Sequence, residues 1–312
     1  MVPFRNILVP LDGSELAEKA VGPAHQIAVA MAASAHRTGE TAVKLTLLRA
    51  LTPMAMLAAD PYLYDEMMRM NIDEAQAYLN LAASTLSEGK VVVETKTVNG
   101  SPAEAIVQYA EENAIDLVVM SSHGRTGSSR WVYGSVAEKV MHHAPCATAI
   151  IRAHVEVTMF QNRKMLVPLD GSELAERALE PALALARAVG SNVQLLRIVN
   201  AREPMPESMT PAGEQVEAAL NEADLEERSE AETYLQRVFS SHENQHLFFD
   251  VQTTDGDVAD TIVTYADANH IDLIVMSSHG RSGLGRWLHG SVAEKVLRGA
   301  NCATLIVRDQ RD

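Results

Sequence analysis

The sequence predicts an α/β protein of two tandem doubly wound domains, each a five-stranded parallel sheet flanked by helices. Three observations carry this. The chain repeats itself: ILVPLDGSELAEKA at 7–20 returns as MLVPLDGSELAERA at 165–178 with 12 of 14 positions matching, and 115–152 returns as 271–308 with 26 of 38 identical. Each copy alternates short apolar runs, as strands buried on both faces require, with longer stretches of helical period. The 312 residues suit two ordinary domains. The repeat is far too long for a solenoid, so residues 1–155 and 156–312 are read as two copies of one domain, joined near Ala153–Asn162.

The elements follow in order. Asn6–Leu11 is a short apolar run ended by Asp-Gly, a buried strand. Ser14–Ala35 is helical, with Leu16, Ala20, Ile27 and Met31 near one stripe and a bend expected at Pro23. Leu45–Leu51 is a second strand, Ile72–Ser87 a helix with Ala75, Leu79, Ala82 and Leu86 on one face, and Val91–Val98 a third strand. Ser101-Pro102-Ala103-Glu104 starts a helix with Ser at the cap and Pro at the first position. Ile115–Met120 is the fourth strand, Ser135-Val136-Ala137-Glu138 reads as a capping box, and Ala147–Ile151 is the fifth strand. LTLLRA at 45–50 aligns with VQLLRI at 193–198. The change of offset there puts loop-type insertions around His36 to Thr41 in the first copy and after the second strand in the second. The order βαβαβαβαβ implies helices on both faces of a parallel sheet.

Composition narrows the function. Lys and Arg total 26 against 41 Asp and Glu, a net charge of −15, which argues against a surface for nucleic-acid backbone or anionic lipid. Aromatics are 4%, too few for a base-stacking platform. Cys146 and Cys302 make neither a disulfide framework nor a zinc pattern and read as small buried residues. No apolar run approaches the ~20 residues of a membrane span, and the N-terminal apolar run is too short for a signal peptide. The expectation is a cytoplasmic protein.

In an open α/β sheet, ligands bind beyond the carboxyl ends of the strands. Two segments repeated almost unchanged fall there. One is Pro10-Leu11-Asp12-Gly13-Ser14, matched by Pro168-Leu169-Asp170-Gly171-Ser172. The other runs from Met120-Ser121-Ser122-His123-Gly124-Arg125-Thr126-Gly127 to Gly134-Ser135-Val136. Its match runs from Met276-Ser277-Ser278-His279-Gly280-Arg281-Ser282-Gly283 to Gly290-Ser291-Val292. Glycines allow close backbone approach, and a helix opening at Gly134-Ser135 offers free N–H groups and a positive dipole end to an anion. The alternative is that Gly134 makes a turn and Ser135 caps a helix.

These two segments together resemble the universal stress protein family, over nearly the whole chain, as a tandem two-domain member. Its ATP-binding members carry Gly, two residues, Gly, nine residues, Gly and then Ser or Thr. Gly124, Gly134 and Ser135 fit, as do Gly280, Gly290 and Ser291; Ser121 and Ser277 stand where the pattern has its first glycine. The resemblance implies that Asp12 and Asp170 contact the ribose, while Pro10 and Pro168, with Leu11 and Leu169, shape the first loop. It places Ala50 and Ile198 beside the adenine and Met120 and Met276 near the sugar or base. Gly124, Arg125, Gly127, Gly134, Ser135 and Val136, with Gly280, Arg281, Gly283, Gly290, Ser291 and Val292, would surround the phosphates. It further implies ATP as ligand, with Mg2+ carried on the phosphates, and a homodimer; the residues themselves, with one His per domain beside the loop, suggest no metal site.

Bland readings compete. Asp12 can be a turn residue. His123 and His279 can make structural hydrogen bonds, Arg125 and Arg130 can be solvated, and Trp131 and Trp287 can be packing anchors. Met54, Met56, Met67, Met68 and Met70 form a flexible apolar cover after strand two. Three functions stay open: a nucleotide-binding stress or signalling protein with at most slow hydrolysis, an ATPase or adenylyl-transferring enzyme, and a scaffold without nucleotide. The chain has no Walker A lysine motif, no paired catalytic carboxylates and no Ser-His-Asp set. Single-domain relatives pair through strand five, so Ala147–Ile151 and Ala303–Val307 are expected at a pseudo-twofold seam.

Overall fold

A computed structural model of the chain describes residues 4–38, 42–52, 61–86, 90–122, 134–152, 160–200, 212–242, 247–278 and 290–308. The first half runs β1 (Asn6–Pro10), α1 (Glu15–Glu18), α2 (Val21–Thr38), β2 (Val43–Leu51), α3 (Pro61–Ser84), β3 (Val91–Asn99), α4 (Pro102–Glu112), β4 (Leu117–Ser121), α5 (Ser135–His143) and β5 (Ala147–Ile151). The second half repeats it: β6 (Lys164–Pro168), α6 (Glu173–Glu176), α7 (Leu179–Val189), β7 (Asn192–Asn200), α8 (Ala212–Ser241), β8 (Leu247–Thr254), α9 (Val258–Ala268), β9 (Leu273–Ser277), α10 (Ser291–Gly299) and β10 (Ala303–Val307).

All ten strands form one sheet, in the order β3-β2-β1-β4-β5-β10-β9-β6-β7-β8. Within each half every pair is parallel. The halves join where β5 and β10 pair antiparallel, with Thr304 opposite Ile150 and Ile306 opposite Thr148. The two strand-five segments therefore do form the seam. Helices cover both faces. Ile7, Val9, Leu45, Leu47 and Val119 pack toward α1, α2 and α3, while Leu8, Leu48, Val118 and Met120 pack toward α4 and α5. Alternate strand residues feed opposite cores because successive Cβ atoms point to opposite sides.

Three expected boundaries are corrected. The helix expected to bend at Pro23 is two helices separated at Lys19 and Ala20; Pro23 sits in the first turn of α2, where no backbone N–H is needed. The helix expected from Ile72 begins at Pro61, which places Met67, Met68 and Met70 on α3, with Met70 exposed; Met54 and Met56 lie outside the described residues. Gly134, not Ser135, is the cap of α5, so Ser135 is the first helical residue and no capping box forms. Ser101 does hold the cap position of α4, but its side chain makes no capping bond. Cys146 and Cys302 are buried as expected, and burial pushes both thiols up to about 12.

A carboxylate in each half fastens the start of the first strand. Asp116 Oδ2 accepts from the backbone N–H groups of Arg5 and Asn6, each at 2.8 Å. Asp272, 2% exposed, accepts from the Asn162 and Lys164 amides, both at 3.1 Å, and from Asn162 Nδ2 at 3.0 Å. Neither acid is part of the nucleotide motif, although both lie in the repeated Ile-Asp-Leu. Asp272→Ala is expected to cost about 3 kcal/mol, because hydrogen bonds to a charged acceptor are lost and their donors stranded. Chemical denaturation checks this, and a change within about 0.5 kcal/mol, the range of neutral surface substitutions, would show the tether to be dispensable.

Candidate functional site

Chain order reverses between β1 and β4 in the first half and between β6 and β9 in the second, and in open α/β sheets the carboxyl ends of strands at such a reversal are where ligands bind. The two repeated segments meet there. After β6, the Leu169 N–H donates to the Leu196 carbonyl at 2.8 Å, which sets the first loop against the end of β7. Asp170 Oδ1 then accepts from the Ser172 amide at 2.9 Å and hydroxyl at 2.6 Å, and Ser172 Oγ caps α6 through the Ala175 amide. Asp12, Ser14 and Ala17 do the same in the first half, at 3.0, 2.6 and 3.2 Å. One oxygen of each aspartate is thus committed to a turn, as the bland reading of Asp12 held.

The second segment is pinned at both ends. The Ser278 amide donates to Val307 at 3.0 Å and the Gly290 amide donates to Ser278 at 2.7 Å. The equivalents are Ser122 to Ile151 at 2.8 Å and Gly134 to Ser122 at 3.0 Å. So β4 and β9 deliver the chain to the points where α5 and α10 begin. Gly134 and Gly290 have φ of −61° and −62°, ordinary extended values, so their role rests on the space they leave and not on left-handed backbone.

In the second half these pieces enclose a cavity of about 270 Å3. Pro168, Leu169, Asp170, Ile198, Met276, Ser277, Gly290, Ser291 and Val292 all line it. The structure therefore brings together every expected second-half site residue except Gly280, Arg281 and Gly283. Those three, with Gly124, Arg125 and Gly127 and with His123, Arg130, Trp131, His279 and Trp287, lie outside the described residues. Ile198, Ile262, Met276 and Val292 supply the apolar side, while Asp170, Ser277 and the N-terminus of α10 supply the polar side. In the first half Met120 is buried with Leu48, Ile106 and Ala137, and Val136 packs against them. Pro10 and Leu11 end β1, with the Leu11 amide on the Leu48 carbonyl at 2.7 Å. Ser121 is buried, Ser135 exposed and Ala50 half-buried at the end of β2.

Sequence reasoning missed several contributors. Leu196, Arg197, Val258, Ile262 and Ala293 also line the cavity, and Arg197 Nη1 donates to the Leu169 carbonyl at 3.3 Å. Its counterpart Arg49 lies over the Tyr78 ring, 5.2 Å from the centroid, and the Tyr78 hydroxyl donates to Glu18 at 2.9 Å. Burial first, then the Glu18 carboxylate, raises that phenol above its ordinary range. The signal was present, since Arg49 and Arg197 occupy one position of the aligned second strands and Glu-Ala-x-x-Tyr-Leu recurs at 74–79 and 230–235. The halves also differ. A polar hollow of about 410 Å3 shares Val258, Ser291 and Val292 with the cavity and adds the Lys295–Asp257 ion pair. Lys295 is the main cause holding the Asp257 carboxyl below its usual range. Ser101 stands at the position of Asp257 in the first half. Among the described residues, no group of three or more His, Cys, Asp or Glu side chains could hold a metal ion, and no helix is long and apolar enough to cross a membrane.

A doubly wound parallel sheet with a point of reversal, present twice, defines a duplicated α/β domain. The chain belongs to the universal stress protein family, whose family model matches residues 3–152 and 161–308. It is 32% identical over 146 residues to universal stress protein MJ0531 of Methanocaldococcus jannaschii, covering 47% of this chain and 82% of that one. Universal stress protein Rv2005c of Mycobacterium tuberculosis is 28% identical over 223 residues, 71% of each chain. Among solved structures, a universal stress protein from Archaeoglobus fulgidus superposes with a TM-score of 0.65 at 18% identity, covering 97% of each chain.

Proposed function

We propose that this stress-response protein works by binding adenine nucleotide, one ATP in each half, with at most slow hydrolysis. The reading rests on one observation: nine residues that the family motif implicates, scattered from Pro168 to Val292, meet on a single cavity. Its volume of about 270 Å3 falls just below the roughly 300–1,000 Å3 of small-ligand pockets. In the proposal, Ile198 and Met276 flank the base, Asp170 meets the ribose, and the phosphates, carrying any Mg2+, sit at Gly290, Ser291 and Val292. The unbonded amides of the first turn of α10 and its positive dipole end suit that charge. Pro10, Leu11, Asp12, Ala50, Met120, Gly134, Ser135 and Val136 would act alike in the first half. The proposal also places the domain boundary at 155/156 and the protein in the cytoplasm. A homodimer, if formed, uses a surface other than the β5 and β10 edges, which already pair with each other.

Titration calorimetry with ATP and Mg2+ tests it. The expected stoichiometry is near two per chain, with unequal affinities because Ile198 is larger than Ala50. Absence of binding would overturn the nucleotide reading, and a stoichiometry near one would overturn its extension to both halves.

A further inference from the structure

The last residue after each fifth strand reaches across the seam. Arg152, 4% exposed, follows β5 and donates through Nη2 to the Leu297 carbonyl in the last turn of α10. Arg308 follows β10 and donates through Nη1 to Ala144 and through Nη2 to His142, both at 2.5 Å, at the end of α5. The contacts are reciprocal: each half supplies an arginine to the other half's site helix. Carbonyls of a helix's last turn have no partner within the helix, and that end carries negative dipole charge. A guanidinium satisfies both demands, with two donors in a fixed fork. The Arg298–Glu138 pair at 3.8 Å joins the two helices directly.

The same arginines are attached to the loops of their own halves. The carbonyl of Ile151, immediately before Arg152, accepts from Ser122, and that of Val307, immediately before Arg308, accepts from Ser278. A continuous path therefore runs from the first-half loop through Ile151 and Arg152 to the carboxyl end of α10, and along that nine-residue helix to Gly290 and Ser291 in the second-half cavity. The mirror path runs through Val307, Arg308 and α5 to Gly134. Nine helical residues span only about 13 Å, so the end held by Arg152 and the end at Gly290 and Ser291 belong to one short element.

We propose that Arg152 and Arg308 are positioning residues for the site of the opposite half, so that each site's affinity depends on an arginine carried by the other half. The proposal rests on the reading of the α5 and α10 N-termini as phosphate sites. Two measurements on the full chain test it. In hydrogen exchange without nucleotide, Arg152→Ala should speed exchange of the α10 amides about tenfold more than those of α5, and Arg308→Ala should do the reverse. ATP titration is then read in Gly134→Val, which leaves the second-half site, and in Gly290→Val, which leaves the first. Arg152→Ala should weaken ATP at least about tenfold more in the former, and Arg308→Ala in the latter. Arg152→Lys and Arg308→Lys, which keep the charge but not the fork, should show the same crossed pattern at smaller size, and they serve if an alanine variant fails to fold. Equal effects on both halves, or a larger effect on the arginine's own half, would overturn the proposal. If the wild-type chain binds no ATP, the functional reading fails while the exchange pattern still decides the clamp.

Discussion

Replacing Ile150 and Ile306 with aspartate should separate the halves or unfold the chain. Both side chains are 1% exposed and belong to the core beneath α4, α5, α9 and α10. They lie in the β5–β10 strand pair that joins the two halves of the sheet, with Ile150 opposite Thr304 and Ile306 opposite Thr148. Truncating a buried isoleucine costs about 2–5 kcal/mol, and an unpaired carboxylate in the same place adds several more. The double variant therefore loses about as much as the 5–15 kcal/mol that holds a domain together. Small-angle scattering and thermal unfolding should show a larger particle or loss of the cooperative transition. Ile150→Val, which keeps the shape and costs about 1 kcal/mol, should behave like the wild type. A double aspartate variant with the native scattering profile and midpoint would show that the seam is held by something other than this strand pair.

Joint substitution Gly134→Val and Gly290→Val should remove nucleotide binding by about 100-fold or more, roughly 2.7 kcal/mol per site, while the fold survives. Gly290 lines the second-half cavity at the mouth of α10, so added methyl groups would occupy space assigned to phosphate. The backbone there is extended, at ψ of 142° and 147° for the two glycines, a region β-branched residues enter freely. Neither position depends on a capping side chain, since none is made. Calorimetry on the double variant should register no ATP heat at concentrations that saturate the wild type, with a cooperative melting transition kept and its midpoint lowered only by the loss of two favourable N-cap residues. Normal binding by that variant would mean that the phosphates lie elsewhere.

Much of the fold was legible because the information was local and doubled. Strand runs such as Ile7-Leu8-Val9, the helix starts after Gly134 and Gly290, and the two loop segments are contiguous in sequence and recur in both halves. The nine second-half site residues that converge were all carried by those segments or by the end of the second strand. What was missed depends on context. The start of α3 at Pro61 is hidden because Tyr62, Leu63 and Met70 are exposed there, so no apolar stripe marks it. Gly134 and Ser135 are both good caps, and only the backbone decides between them. The roles of Asp116, Asp272, Arg152 and Arg308 belong to contacts more than a hundred residues apart in sequence. No periodicity announces those.

The antiparallel meeting of β5 with β10 has a directional consequence. Strands of the first half all run one way and those of the second half the other, so their carboxyl edges lie at opposite poles of the one sheet. Two ligands seated at those edges would present themselves to opposite sides of the molecule. A flat partner could read one pole or the other but not both together. The chain thus carries its two candidate sites on opposite edges of the sheet. Its poles are also chemically unlike, because only the second carries Ile198 and the Lys295–Asp257 pair. Duplication within one polypeptide allows that asymmetry, since a dimer of identical chains must keep both ends the same.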